Sequence, residues 1–76
     1  MDAGGYVDAR GAYCQAPVIL LAEGMERLAI GEILKVDADN QPTEEDVRVW
    51  AKRMGHEIVG EEKTKERTTF SIRKGA

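Results

Sequence analysis

The sequence predicts an α+β two-layer α/β sandwich of order βαβαββ, with a four-stranded mixed sheet and two helices on one face. Three observations predict it. Two segments, one from Ala16 and one after Thr43, place apolar residues at helical spacing. Four short segments alternate apolar and polar residues, as strands with one buried and one solvated face do. Because each strand carries a polar face, both helices must cover the other side, and right-handed crossovers narrow the topology further.

Each element follows in order. Met1 to Gly5 is small and Gly-rich and reads as a flexible lead-in, and Tyr6 to Ala9 is the first strand. Gly11 breaks the pattern. From Ala16 the stripe Val18, Leu21, Ala22, Met25 and Leu28 marks helix one, ending near Gly31, with Glu23, Glu26 and Arg27 on the other side. Pro17 suits its first turn, where a missing N–H costs nothing. Glu32 to Ala38 is the second strand, with Leu34 and Val36 on one face and Lys35 and Asp37 on the other.

Thr43, with Asp46 three residues on, resembles a capping box for helix two, and Glu44 and Glu45 suit the positive end of the helix dipole. Val47, Trp50, Ala51 and Met54 form the expected buried stripe, and Gly55 the stop. The remainder, "HEIVGEEKTKERTTFSIRK", gives two strands around a charged turn near Lys63 to Glu66, with Phe70 and Ile72 inward. One domain, 1–76, is expected.

Composition bounds the function. A 76-residue chain buries a thin core, which leaves no room for a deep enclosed active site. The longest apolar run, Ala16 to Ala22, is far short of a membrane span, and no signal-type segment opens the chain, so a cytoplasmic protein with no membrane partner is expected. A net charge of −3 and the absence of exposed aromatic pairs argue against direct nucleic-acid binding, although the βαβαββ order also occurs in an RNA-binding translation factor domain. One cysteine and one histidine exclude a disulfide or a Cys/His zinc scaffold. No long apolar stripe calls for a dimer, so a monomer is expected.

The one thiol is therefore the feature to weigh. Free cysteines are among the most often buried residues, and Cys14 as a packed hydrophobe is the plain reading. Its position argues otherwise, because a thiol at a helix N-terminus faces unpaired N–H groups and the positive dipole end, an effect of about 0.3–1 kcal/mol favouring thiolate. Arg10 adds to this if its guanidinium folds back toward the sulfur; otherwise it is a solvated arginine. His56 opens a later strand and is not placed beside Cys14 as a base. A nucleophilic thiol with no hydrolytic apparatus and no second thiol suits transfer of a group onto and off sulfur.

The stretch "VDARGAYCQAP" resembles the signature of the TusA/SirA-type sulfur-carrier family: an acid, any residue, Arg-Gly, a short apolar step, then Cys-Pro-x-Pro opening helix one. "GEILKVDAD", "GHEI" and the closing "FSIRK" agree with it along nearly the whole chain. The family fold is also βαβαββ. The resemblance implies that Cys14 is the catalytic nucleophile that carries a transient persulfide, with no other cofactor and no metal. It implies a donor protein, a cysteine desulfurase or rhodanese-type enzyme, and an acceptor protein in tRNA thiolation, molybdenum-cofactor assembly or sulfur oxidation. Asp8, Arg10, Gly11 and Pro17 match the motif and support the site.

Two positions depart. Gln15 stands where the family has the first proline, and Ala12 replaces the usual leucine. Losing that proline restores an N–H after the nucleophile and frees φ, at a cost of about 0.4–1 kcal/mol. The alternative function is accordingly a non-catalytic interaction or regulatory module of the same fold, with partner choice altered at Gln15. Tyr13, beside the cysteine, either helps dock a partner or lids the core. Trp50 reads as core, and Lys35, Arg73 and Lys74 as outward charges open to an acidic partner or to none.

Overall fold

A computed structural model describes residues 4–11 and 16–76, the Ala16 side chain excepted. The elements are β1 (Gly4–Asp8), α1 (Ala16–Glu26), β2 (Ile33–Ala38), α2 (Gln41–Arg53), β3 (Glu57–Lys63) and β4 (Thr68–Arg73). The sheet order is β1-β2-β4-β3, with β1 parallel to β2 and both other pairs antiparallel. This is the predicted α+β sandwich. Among the described residues no helix is long and apolar enough to cross a membrane.

Strand alternation builds the core. Val7, Leu34, Val36, Phe70 and Ile72 point to the helix side and are buried against Leu21 and Met25 of α1 and Val47, Trp50 and Ala51 of α2. Full burial of side chains this size stabilises by about 1.5–3 kcal/mol each. The register sets Val7 beside Val36 and Val36 beside Phe70, so the inward residues form continuous rows across three strands.

Several expectations need correction. Gly4 and Gly5, expected in a flexible lead-in, belong to β1 and pair with Ile33 and Leu34. A Cβ at Gly4 would lie 2.4 Å from the Ile33 carbonyl oxygen, so the glycine there meets a close backbone approach. Helix one ends at Glu26, short of Gly31, and Lys74 Nζ donates to Met25 O (3.1 Å) in its last turn and to Leu28 O (2.6 Å) just beyond it. Lys74, expected as an outward charge, is thus a helix C-cap. The buried stripe of α1 is also rotated. Val18 and Ala22 are exposed, whereas Pro17, Leu21, Met25 and part of Leu28 face inward.

The cap of α2 is Asn40, not Thr43. Its Oδ1 accepts the Thr43 N–H at 2.9 Å, Pro42 occupies the first turn, and Thr43 is turned inward and buried. Met54, expected in the buried stripe, is the C-cap and 52% exposed, because the helix stops at Arg53 and Gly55 turns the chain away at φ 79°. The β3–β4 hairpin lacks a glycine pair, and Thr64 does the work instead. Its Oγ1 accepts the N–H groups of Glu66 and Arg67, and its own N–H donates to Arg67 O at 2.8 Å.

Candidate functional site

The parallel pairing of β1 with β2 brings two strand C-termini to one edge of the sheet, with Asp8 opposite Asp37. The start of β4, the Thr64–Arg67 turn and the N-terminus of α2 lie at the same edge, since Ala38 pairs with Thr68 and α2 begins three residues later. From this edge the chain leaves β1 toward α1, through the segment that carries the motif.

Four predicted site residues are described. Asp8 holds Arg10 through a two-pronged ion pair, Nε to Oδ1 at 2.9 Å and Nη2 to Oδ2 at 3.0 Å, and also accepts the Arg10 N–H at 3.1 Å. Those bonds pull the Asp8 carboxyl down to about 2 and raise the guanidinium further above its usual range. Arg10 is an exposed, solvated arginine whose guanidinium is paired with Asp8. Gly11 has φ 75° with open space where a Cβ would be, so conformation rather than room calls for glycine. Pro17 is fully buried in the first turn of α1. Cys14 and Gln15, with Ala12 and Tyr13, lie outside the described residues.

Sequence reasoning missed the acids that organise this edge. Asp37 lies on the open face of the sheet as expected, yet it is only 4% exposed. Tyr6 Oη donates to Oδ2 at 2.6 Å, Thr69 Oγ1 to Oδ1 at 2.6 Å and Arg67 Nη1 to Oδ2 at 3.2 Å. Burial by itself would raise the Asp37 pKa, but the hydrogen bonds from Thr69 and Tyr6 and the Arg67 and Arg10 charges outweigh it and lower it. The same bond raises the Tyr6 phenol. Charges alternate as Arg10, Asp8, Asp37, Arg67, which compensates two acids set opposite each other on neighbouring strands. The available signal was the alternation that puts Tyr6, Asp8, Asp37 and Thr69 on one face. Its use required a register between residues some thirty positions apart.

Asp39, in the short β2–α2 connection, accepts the Gly11 N–H at 3.2 and 3.3 Å. An open cleft of about 310 Å³ adjoins it, lined among others by Asn40, Glu44, Lys63, Arg67 and Thr68. Glu44 accepts a buried hydrogen bond from Thr68 Oγ1 at 2.9 Å. His56 is elsewhere. Its ring lies 5.1 Å from that of Trp50, and its Nδ1 accepts the Gly75 N–H, so it is part of the C-terminal strap.

Residues 5–74 match the family model described as Sulfurtransferase TusA. The sulfur carrier protein TusA of Pseudomonas entomophila is 34% identical over 70 residues, covering 92% of this chain and 88% of that protein. YrkF of Bacillus subtilis is 35% identical over 69 residues, and the chain spans 37% of that longer protein. Among solved structures, the SirA-like protein of Desulfitobacterium hafniense superposes with a TM-score of 0.79 at 26% identity, covering 95% of this chain and 99% of that one.

Proposed function

The chain belongs to the TusA family of sulfurtransferases, and from that premise we propose that it is a sulfur carrier that loads and unloads one sulfur atom at Cys14. The observation that carries this reading is the family match over residues 5–74 with the family's cysteine present at position 14. In the proposed cycle the Cys14 thiolate attacks the outer sulfur of a donor persulfide. The donor's S–S bond breaks, its inner sulfur leaves as a thiolate, and an S–S bond forms on Cys14. An acceptor thiolate then attacks the outer sulfur of that persulfide and releases the Cys14 thiolate. One S–S bond breaks and one forms at each step, so no oxidant or reductant is consumed and no bound cofactor is needed.

The geometry supports the reading through what it does to the segment before Cys14. Asp8 and Arg10 pair with each other beside the sheet edge, in the stretch of sequence that leads to Cys14, so the acid there is not a bare charge. α1 begins at Ala16, two residues after Cys14 in the sequence, with its positive dipole end there and buried Pro17 in its first turn. The proposed donor and acceptor are proteins, in keeping with the family match.

The test is intact-protein mass spectrometry after incubation with glutathione persulfide, comparing the wild type, Cys14→Ser and a dithiothreitol-treated control. A gain of whole sulfur atoms on the wild type alone, reversed by dithiothreitol, is the expected result. No gain at an accessible Cys14 would sink general loading from a small persulfide and move the weight to a dedicated donor protein or to the non-catalytic module suggested by Gln15, whose partner binding would survive Cys14→Ser.

A further inference from the structure

We propose that His56 is a pH-released latch on the strap formed by residues 74–76, closed while its ring is neutral and open once Nδ1 takes a proton. The strap follows β4 and crosses the ends of three elements. Lys74 N–H donates to Glu32 O at 2.9 Å and Lys74 O accepts the Gly31 N–H at 2.8 Å, which carries backbone pairing past the end of β4. Lys74 Nζ reaches Met25 O and Leu28 O at the end of α1. One residue on, the Gly75 N–H donates to His56 Nδ1 at 3.1 Å. A Cβ at Gly75 would run into the Gly55 carbonyl oxygen, so the strap lies directly on the turn between α2 and β3. The stretches "GHEI" and "FSIRK" thus meet here, through His56 of the first and the strap that Lys74 of the second begins.

A backbone N–H can only donate, so this bond needs the bare lone pair of Nδ1 and leaves the proton of the neutral ring on Nε2. Protonation from solvent puts an N–H on Nδ1 as well. Two donors then face each other, and the bond is abolished rather than weakened. His56 itself stays in place, because its own N–H is held by Ala51 O at 2.9 Å and its half-buried ring lies 5.1 Å from that of Trp50. From α2 the ring meets Trp50 and Ala51, both uncharged, with exposed Lys52 and Arg53 following in the last turn. From the strap, Lys74 opposes a second positive charge, and Glu57, next along β3, is paired with Arg73 of β4. Burial acts in the same direction as Lys74, so the latch is closed at neutral pH and opens below the ordinary histidine value of 6.5. The backbone ties of Lys74 involve no titrating group, which confines the opening to Gly75 and Ala76.

The experiment is an NMR titration of the isotope-labelled chain from about pH 8 to about pH 5, in the wild type, His56→Asn and His56→Phe. It reads the His56 ring carbons together with the amide shift and heteronuclear NOE of Gly75. Asparagine offers an acceptor oxygen about where Nδ1 stands and does not titrate, whereas phenylalanine keeps a ring and offers no acceptor. In the wild type the Gly75 NOE is expected to fall from an ordered to a flexible-chain value, with a midpoint that coincides with the ring titration and lies below 6.5. His56→Asn should hold the ordered value across the range, and His56→Phe should show the flexible value throughout. A Gly75 NOE that stays constant while the ring titrates overturns the proposal, and so does one already at the flexible-chain value at the alkaline end. An undiminished pH dependence in His56→Asn overturns it too, by placing the switch on another group. Should His56→Phe fail to fold, the wild type and His56→Asn decide between them.

Discussion

Gly24→Ala isolates the packing of α1 on β1. Gly24 lies in the helix where an alanine would ordinarily stabilise by about 0.5–1 kcal/mol, since glycine loses more backbone freedom on folding. Here a Cβ would sit 2.6 Å from Val7 Cγ2 and 3.3 Å from Leu34 Cδ1. Apolar carbons prefer about 3.5–4.0 Å, so Val7 or the helix must move by about 1 Å. Val7 is buried, and its branched side chain has little rotamer freedom, while Leu34 behind it is fully buried. Overpacking of this kind costs about 1–3 kcal/mol, which outweighs the helical gain and leaves a net loss of about 1 kcal/mol. For a domain of this length that lowers Tm by about 4–8 °C. Thermal and urea melts of Gly24→Ala, Val7→Ala and the double variant test the cause. Val7→Ala removes the clashing methyl, so the double variant should cost less than the two single costs added, by about 1 kcal/mol or more. A Gly24→Ala protein with Tm at or above the wild type, or strict additivity in the cycle, refutes the close-approach argument.

Other predictions concern polar groups. Asp8 should titrate near 2 by carboxyl carbon NMR, and since its folded pKa lies below the ordinary value of 3.8, its stabilising effect holds above about 3.8 and is lost as pH falls toward 2. Arg10→Ala should return the Asp8 titration toward 3.8. Asp37→Ala removes the acceptor of the Tyr6 and Thr69 hydroxyls, which water can then reach, and should destabilise by about 0.5–1.5 kcal/mol in urea melts, while the Tyr6 phenol titrates lower than in the wild type. Burial, and secondarily the Lys74 charge, lowers the His56 pKa. Its contribution is therefore complete above the ordinary value of 6.5 and lost as pH falls through the lower folded value, a change that Trp50 fluorescence 5.1 Å away should report. Lys74→Met removes the donor to Met25 O and Leu28 O and should cost about 0.3–1 kcal/mol, read as a lower Tm.

Local chemistry accounts for what the sequence determined by itself. Helical and strand periodicities are properties of neighbouring residues, so element order, the inward rows Leu34/Val36 and Phe70/Ile72, and the Gly55 stop were all legible before any coordinates. The motif around Cys14 was legible for the same reason: its residues are adjacent in the chain, and Asp8, Arg10, Gly11 and Pro17 could be named from it.

Tertiary structure decided whatever depended on partners distant in sequence. Carbonyls at the end of α1 are met by Lys74, some fifty residues away, and no pattern near Glu26 announces it. The sequence left Arg10 either folded toward the sulfur or solvated, and did not show its pairing with Asp8. Asp37, an ordinary polar position of an alternating strand, becomes a buried acid only because parallel β1 and antiparallel β4 deliver Tyr6, Thr69 and Arg67 to it. Asp39 meets Gly11 across 28 residues for the same reason. Hydrogen bonds and ion pairs act over a few ångströms in space, whereas sequence periodicity reports only which face a residue takes; the register that joins two faces is settled by the packing of the whole sheet.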